Sequence, residues 1–155
     1  AGQSLYLQVN GSVAHPGVFL VTADKPIFVM EYLSSKGATN ATVAKGGDPA
    51  MTQGVPVEQF LANYVLLVPS AWNLDYLVIT KKAGDTVTLD GGLMAQNLFT
   101  QVGNTQWQVA RVATTDGVHK LSGSAPFGVI VLGYDSYDSY AYPGGLDQKV
   151  INPKN

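Results

Sequence analysis

The sequence contains no cysteine, only one arginine and only two histidines among its 155 residues. Without cysteine, the chain forms no disulfide bond and offers no thiolate as a nucleophile or as a ligand for zinc or iron–sulfur clusters. Charged residues make up 13% of the sequence, and the formal net charge is -2. This composition lacks the basic surface by which proteins bind nucleic acid or anionic membranes, so we expect no nucleic-acid partner.

Long apolar runs are also missing. The longest, residues 64–68 and 127–132, are far shorter than the roughly 20 residues of a membrane-spanning helix, so we expect no membrane insertion. The first four residues lack the basic and apolar regions of a signal peptide. We therefore interpret residues 1–155 as one domain, excised from a longer extracellular protein.

Motifs that mark common enzyme active sites are absent as well. The sequence has no HExxH, no GxxxxGK[ST] and no GxSxG, which removes local support for a zinc peptidase, a P-loop enzyme or an α/β-hydrolase. His15 and His119 each stand alone, which is more typical of a structural histidine than of a base or a metal ligand. Ser122-Gly123-Ser124 reads as a turn with no base beside it. We predict no catalytic residue and no enzymatic activity.

Short runs of β-branched and aromatic residues, separated by Gly, Pro, Asn and Asp, dominate what is present. This pattern predicts an all-β fold in which short gaps join antiparallel hairpins. Two layers of antiparallel sheet, a β-sandwich, satisfy it, with jelly-roll-like and immunoglobulin-like topologies both open. Residues 58–63 and 94–100 predict at most short helical turns. The predicted strands are residues 5–9, 18–22, 27–33, 64–68, 76–81, 86–89, 106–113, 118–121, 127–134 and 139–142.

Hydrophobic alternation predicts which strands lie deepest in the fold. Residues 127–132 and 64–68 are apolar at successive positions, so we expect both strands to be covered on both faces, by the fold or by a neighbouring domain. Residues 34–54 form the one long irregular stretch, rich in glycine and small polar residues. Loops of this length are often functional in compact domains.

Half of the eight tyrosines lie between residues 134 and 142. A tyrosine presents a rigid apolar face and a polar tip, which suits glycan stacking or a protein interface. Alternation places Tyr140 and Tyr142 on one face as packing residues, leaving Tyr137 as the better candidate for exposure. Trp72 is a further stacking candidate, although a core position is favoured for it. The candidate ligand-binding residues are Tyr134, Asp135, Tyr137, Asp138, Tyr140 and Trp72.

Asp135 and Asp138 are the only candidates for a metal site, with calcium as the metal because oxygen ligands are the kind available in quantity. Their spacing of three does not match an EF-hand loop, whose ligands fall at alternate positions. Turn-capping aspartates, which accept hydrogen bonds from nearby backbone N–H groups, are the favoured interpretation. We predict no cofactor, with calcium stabilisation as the open alternative.

Seven short stretches together carry a family resemblance: Gly-Gly-Asp-Pro at 46–49, Val-Glu-Gln-Phe at 57–60, Tyr-Val-Leu-Leu-Val-Pro at 64–69, Val-Thr-Leu-Asp-Gly at 87–91, Asp-Gly-Val-His at 116–119, Pro-Phe-Gly-Val at 126–129 and Tyr-Ala-Tyr-Pro-Gly-Gly at 140–145. They resemble the N-terminal domain family of the IgG Fc-binding protein, in the version found in bacterial surface proteins. The run near the C-terminus is the most specific part of the resemblance, which covers about residues 27–146.

The resemblance implies an extracellular, non-enzymatic β-sandwich that serves adhesion or binding, commonly beside other domains. Animal relatives sit among cysteine-rich modules, so the lack of cysteine here favours a bacterial relative. The leading hypothesis is a module that recognises a glycan or a protein on a cell surface, and IgG is not assumed to be its ligand. The alternative is a structural spacer or fibre-tip module whose apolar strands pack on neighbouring domains of the parent chain.

Overall fold

The computed structural model describes residues 2–9, 17–34 and 46–148, and within them the fold is all-β. Every hydrogen-bonded pair of strands is antiparallel, and the only helical elements in these ranges are two 3₁₀ turns, Val57–Gln59 and Gln96–Leu98, so the predicted fold class is confirmed. No helix in the described ranges is both long and apolar enough to cross a membrane. The strands are β1 (Met30–Tyr32), β2 (Met51–Gln53), β3 (Leu61–Val68), β4 (Leu74–Lys82), β5 (Val87–Leu89), β6 (Gly92–Leu93), β7 (Thr100–Gln101), β8 (Trp107–Thr114), β9 (Gly117–Tyr134) and β10 (Ser139–Pro143).

The 18-residue strand β9 belongs to both layers of the sandwich. Its first part pairs with β3 on one side and β5 on the other, and β6 continues that layer. Its last part pairs with β4 and β10, and β8 and β7 continue the second layer. β9 therefore runs out along one layer and returns along the other.

The bend in β9 lies at residues 123–126. A Cβ on Gly123 would stand 2.6 Å from Phe127 Cδ1 and 2.7 Å from the Ala125 carbonyl oxygen, so only glycine permits this close approach. Ser124 fastens the bend to the β4–β5 connection, donating its N–H to the Thr86 carbonyl at 3.0 Å and accepting the Thr86 N–H on its Oγ at 2.9 Å. The predicted turn at Ser122-Gly123-Ser124, with separate strands on either side of it, is thus wrong, because β9 continues through it.

The core lies between the inner faces of the two layers. One layer contributes Tyr64, Leu66 and Val68 at alternate positions of β3, and the ring of Tyr64 meets that of Phe127 edge-on at 5.0 Å. The Tyr64 hydroxyl donates to the Phe127 carbonyl, so the tyrosine's one buried polar group is satisfied. Other core side chains are Leu77, Ile79, Val87, Met94, Phe99, Ala110, Leu121, Val129 and Val131.

The two strands expected to be covered on both faces differ from each other. Residues 127–132 are central as predicted, flanked by β4 and β10, and the outward-facing Ile130 and Leu132 are half-buried. The fold itself does not cover the outer face of residues 64–68, since Val65 is 69% exposed and Leu67 is 61% exposed, and coverage by a neighbouring domain stays a prediction. β3 has β9 as its only hydrogen-bonded strand among the described residues, and its outer face is open.

The N-terminal strand predictions are largely wrong. Residues 5–9 and 18–22 belong to no strand, and the predicted strand 27–33 is reduced to β1. Local propensity favours extended backbone there, but a strand also needs a partner along its length. The irregular stretch 34–54 contains β2, which pairs with β1, and its residues 35–45 lie outside the described ranges.

Connections between strands are of two kinds. Asp90 and Gly91, both with positive φ, close the β5–β6 hairpin as a tight turn. The gaps at 83–86 and 115–116, expected to close hairpins, instead carry the chain from one layer to the other, because the flanking strands are not paired.

Lys81, at the end of β4, is fully buried. Its ammonium donates to Gln108 Oε1 at 2.8 Å and to Gln96 Oε1 at 3.0 Å, and it lies 4.5 Å from the centre of the Phe99 ring. Burial lowers the pKa of Lys81, and nearby Asp85 opposes that change. These contacts tie the second 3₁₀ turn to β4 and β8.

Substitution of Gly128 tests how the Phe60 ring packs on the outer face of the second layer. A Cβ at this position would lie 2.5 Å from the Phe60 ring, which also meets Trp107 edge-on at 5.9 Å. We expect Gly128→Ala to lower the free energy of unfolding by about 1–3 kcal/mol because the ring must move away from the sheet. Urea denaturation measures the effect.

Gly92→Ala is the control, since Gly92 is exposed and its nearest contact is an ordinary 3.4 Å. Equal stability of the two variants would contradict the packing of Phe60 on Gly128.

Candidate functional site

One end of the sandwich gathers three connections that are far apart in sequence. Val68 pairs with Gly117, Leu74 with Tyr134 and Asp75 with Thr114. The connections at residues 69–73, 115–116 and 135–138 therefore lie together, and we call this region the loop end. The turn at Asp90 reaches it through a backbone hydrogen bond to Lys120.

A cleft of about 480 Å³ opens at the loop end. Its walls are mainly aliphatic, and Asp116 supplies a carboxylate and Ser70 a hydroxyl. Gly117 pairs with Val68, so the start of β9 and the end of β3 form the floor of the cleft together. The lining residues are Leu67, Val68, Pro69, Ser70, Asp116 and Gly117.

The wall at residues 69–73 contains a strained residue. Ala71 has φ 77°, a left-handed conformation that residues other than glycine rarely adopt. Backbone strain of this kind persists where the surrounding structure imposes it and is common at binding sites.

An aromatic cluster stands beside the cleft. Trp72 meets the Tyr140 ring edge-on at 4.8 Å, and Tyr140 stacks on Tyr142 at 6.1 Å with an interplanar angle of 22°. The Tyr142 hydroxyl donates to the carbonyl of Leu67, a cleft residue. Tyr140 and Tyr142 thus share one face as packing residues, as alternation predicts.

Tyr140 also forms a hydrogen bond with a buried carboxylate. Its hydroxyl donates to Asp75 Oδ1 at 2.6 Å, and Asp75 is 5% exposed. Burial raises the pKa of Tyr140, and the hydrogen bond to Asp75 and the Asp75 and Asp116 charges raise it further. Gly133 makes room for this ring, because a Cβ there would overlap Tyr140.

The other predicted site residues do not all join this cluster. Tyr134 lies on the opposite face of β9, where its ring meets Tyr76 at 6.3 Å and burial raises its pKa. Gly47 packs against it, since a Cβ on Gly47 would stand 2.7 Å from the Tyr134 ring. Tyr137, at the tip of the β9–β10 connection, is 75% exposed.

Asp135 and Asp138 act as turn caps. Asp135 accepts the N–H of Ser136 at 2.7 Å, and Asp138 accepts the N–H of Ser139 at 2.8 Å. Asn73 donates its side-chain amide to Asp135, which ties this turn to residues 69–73. Among the described residues, no three acidic or histidine side chains converge on a common point. Calcium stabilisation stays a prediction.

Segment 46–50 is attached to the same turn. Gly47 donates its N–H to the Asp135 carbonyl at 2.9 Å, and Asp48 donates its N–H to Ser139 Oγ at 3.0 Å. The Gly-Gly-Asp-Pro motif therefore anchors the chain through backbone groups.

His119 forms a buried polar network near the cleft. Its Nδ1 is 2.7 Å from Asp90 Oδ2, and its Nε2 is 2.7 Å from the Thr115 carbonyl oxygen and 3.1 Å from Thr114 Oγ1. Burial lowers the pKa of His119, but the hydrogen bonds to Asp90 and Thr115 outweigh it and the net pKa is raised. The expectation of a structural histidine fits this position, whereas His15 lies outside the described residues.

Sequence reasoning missed most of the cleft. Asp116 stands in a short gap between predicted strands and in the Asp-Gly-Val-His stretch of the family resemblance, neither of which indicates a cleft, and Ser70 belongs to no motif. The left-handed Ala71 leaves no trace in the sequence, because alanine is not typical of that conformation. The one sequence feature that points to this region is Trp72, an aromatic residue in the connection that follows β3.

Tyr140→Phe tests the polar link within the cluster. Removing the hydroxyl deprives the buried Asp75 carboxylate of a hydrogen bond at 2.6 Å, so we expect unfolding free energy to fall by about 1–3 kcal/mol. Chemical denaturation near neutral pH measures it.

Tyr137→Phe makes the same change three residues away on an exposed side chain and is expected to have little effect. A loss from Tyr137→Phe as large as that from Tyr140→Phe would argue against a specific role for the Asp75 bond.

Comparison with known proteins places the chain in a family. A search of curated proteins and a search of solved structures each found no match. A family model described as IgGFc binding protein matches residues 1–133. The match begins earlier than the resemblance at residues 27–146 and ends before the run at 140–145, so that run is not what carries it. Since the matched residues make up most of the chain, the protein belongs to the IgGFc-binding family.

Proposed function

We propose that this domain binds a glycan or a protein on a cell surface through the loop end of its sandwich. Membership of the IgGFc-binding family indicates a binding-type domain of extracellular proteins rather than an enzyme. The observation that carries the proposal is the cleft beside the Trp72–Tyr140–Tyr142 cluster.

The composition of the loop end suits recognition more than catalysis. Apolar walls and a few oriented polar groups are the usual lining of a binding site. Asp116 supplies a hydrogen-bond acceptor and a negative charge, and Ser70 supplies a donor. No nucleophile–base pair occurs in the lining.

Aromatic side chains beside the cleft add contact area at little entropic cost. Trp72 is held by Tyr140, and Tyr140 is held by Asp75, so the indole is fixed before a partner arrives. Pre-organised aromatic residues lose little rotamer freedom on binding. Tyr137 extends this surface at the tip of the neighbouring turn.

Binding assays on the whole chain test the proposal. Glycan arrays and cell-binding assays cover the glycan and cell-surface classes, and immunoglobulin G Fc fragments provide a protein probe that matches the family description. We expect Tyr137→Ala and Asp116→Asn each to weaken binding about tenfold or more, as aromatic and charged contacts at the centre of an interface do.

Tyr6→Ala is the matched control, because Tyr6 is 78% exposed, compared with 75% for Tyr137, and lies outside the loop end. If Tyr6→Ala and Tyr137→Ala weaken binding equally, the binding surface is not at the loop end. Absence of binding to all three kinds of probe would overturn the proposal.

A second candidate function, a spacer that packs on neighbouring domains, is favoured by the outer face of the first layer. Val65, Leu67 and Val118 are each more than 60% exposed, and Leu67 and Val118 are directly opposite each other on β3 and β9. Adjacent exposed apolar side chains are typical of contact surfaces.

Leu67→Ser distinguishes the two functions only partly because Leu67 also lines the cleft, so Val65→Ser is the better variant. If the spacer function holds, Val65→Ser weakens assembly of the parent protein while glycan or protein binding is unchanged. A stable monomer whose deletion leaves that assembly intact would exclude the spacer.

A further inference from the structure

Nδ1 of His119 faces a carboxylate, and Nε2 faces a carbonyl oxygen and, at 3.1 Å, the Thr114 hydroxyl, which can donate or accept a hydrogen bond. Nδ1 lies 2.7 Å from the carboxylate oxygen Oδ2 of Asp90, and Nε2 lies 2.7 Å from the carbonyl oxygen of Thr115. A neutral imidazole carries a proton on only one nitrogen, so it would place a lone pair against one of these oxygens. The imidazolium ion, with two N–H donors, satisfies both.

The surroundings of the ring contain one counter-charge. Asp90, on the β5–β6 turn, is half-exposed and also accepts the Lys120 N–H on Oδ1 at 2.8 Å. The turn after β8 contributes Asp116, and β3 contributes apolar Leu66 opposite His119. Lys120 is the adjacent residue on β9, and its side chain is exposed. The direct ion pair with Asp90 favours the charged ring.

His119 thereby joins two turns that belong to different layers. Asp90 closes the β5–β6 hairpin of the first layer, and Thr114 is the last residue of β8 in the second layer, with Thr115 directly after it. Asp116 and Gly117, which follow directly, line the cleft. The hydrogen bond from Nε2 to Thr115 therefore fixes the backbone one residue before the cleft wall.

We propose that His119 is a pH-sensitive clamp on the loop end, which holds the cleft wall at Asp116 and Gly117 in place when the ring is protonated and loosens it when the ring is neutral. The functional meaning of this clamp rests on the proposed binding role of the cleft. Deprotonation removes one N–H donor, so one of the two turns loses its hydrogen bond to the ring. Ligand binding would then be strongest at pH values below the folded-state pKa of His119.

The direction of the pH effect follows from the two pKa values. The pKa of His119 is raised above its ordinary 6.5, so its contribution to stability is full below 6.5 and is lost as pH rises through the folded value. The pKa of Asp90 is lowered from 3.8, mainly by the Lys120 N–H and the His119 ring, so its contribution is lost only in strong acid. Between the folded-state pKa of Asp90 and that of His119, Asp90 is ionised and His119 is protonated, so both turns are hydrogen-bonded to the ring.

A nuclear magnetic resonance titration of the whole chain tests the clamp without any ligand. We expect the His119 ring to titrate above 6.5 and the amide signals of Asp116 and Gly117 to shift with the same midpoint. Between about pH 6 and about pH 8.5, exchange of the Gly117 amide, corrected for its intrinsic rate, should rise several-fold.

Asp90→Asn removes the counter-charge but keeps a residue that tolerates the left-handed turn, where Asp90 has φ 50°. It should lower the His119 midpoint. His119→Gln should abolish the pH dependence of the two amides, and His15→Gln is the control that should leave it unchanged.

A His119 midpoint at or below 6.5, or amides of Asp116 and Gly117 that do not follow it, would overturn the clamp. If His119→Gln does not fold, the titrations of the wild-type protein and of Asp90→Asn still test whether the two amides follow the protonation of His119. Because no ligand enters these measurements, a failure of the clamp leaves the proposed function open. Loss of binding with an intact titration would instead refute the function alone.

Discussion

The fold-back of β9 is the constraint on which the rest of the structure depends. One strand supplies the middle of both layers, and its bend is possible because Gly123 has no side chain where Phe127 and Ala125 approach. Since β9 begins and ends at the same end of the sandwich, Gly117 and Tyr134 are brought near each other. The cleft and the aromatic cluster are consequences of that geometry.

Polar side chains then connect the strands and turns of the two layers. Tyr64 donates to the Phe127 carbonyl near the bend, and Tyr142 donates to the Leu67 carbonyl near the loop end. His119 links the two turns, and Lys81 fastens the second 3₁₀ turn. A chain without cysteine thus uses hydroxyl, imidazole and ammonium donors for connections that disulfides make in other small extracellular domains. Each of these donors has an oxygen partner, which keeps the cost of burying it low.

Local pattern predicted the features that depend on local geometry. Alternation placed Tyr140 and Tyr142 on one face, and the Asp90-Gly91 pair ended a strand, as a hairpin turn requires. Non-local features were not predictable in this way. Residues 5–9 read as a strand but belong to no strand, and Ser122-Gly123-Ser124 reads as a turn although it lies inside β9. The cleft was missed because it joins Ser70 to Asp116, which meet only once the end of β3 has paired with the start of β9.

The place of β9 in the chain affects how the domain can fold. β3 and β4 are complete by residue 82, yet each must pair with a strand that ends at residue 134. Closing such long loops is entropically expensive and makes folding slow compared with that of proteins built from local contacts. During synthesis, neither layer can be completed until most of the domain has left the ribosome. The chain therefore stays incompletely folded until late in its synthesis.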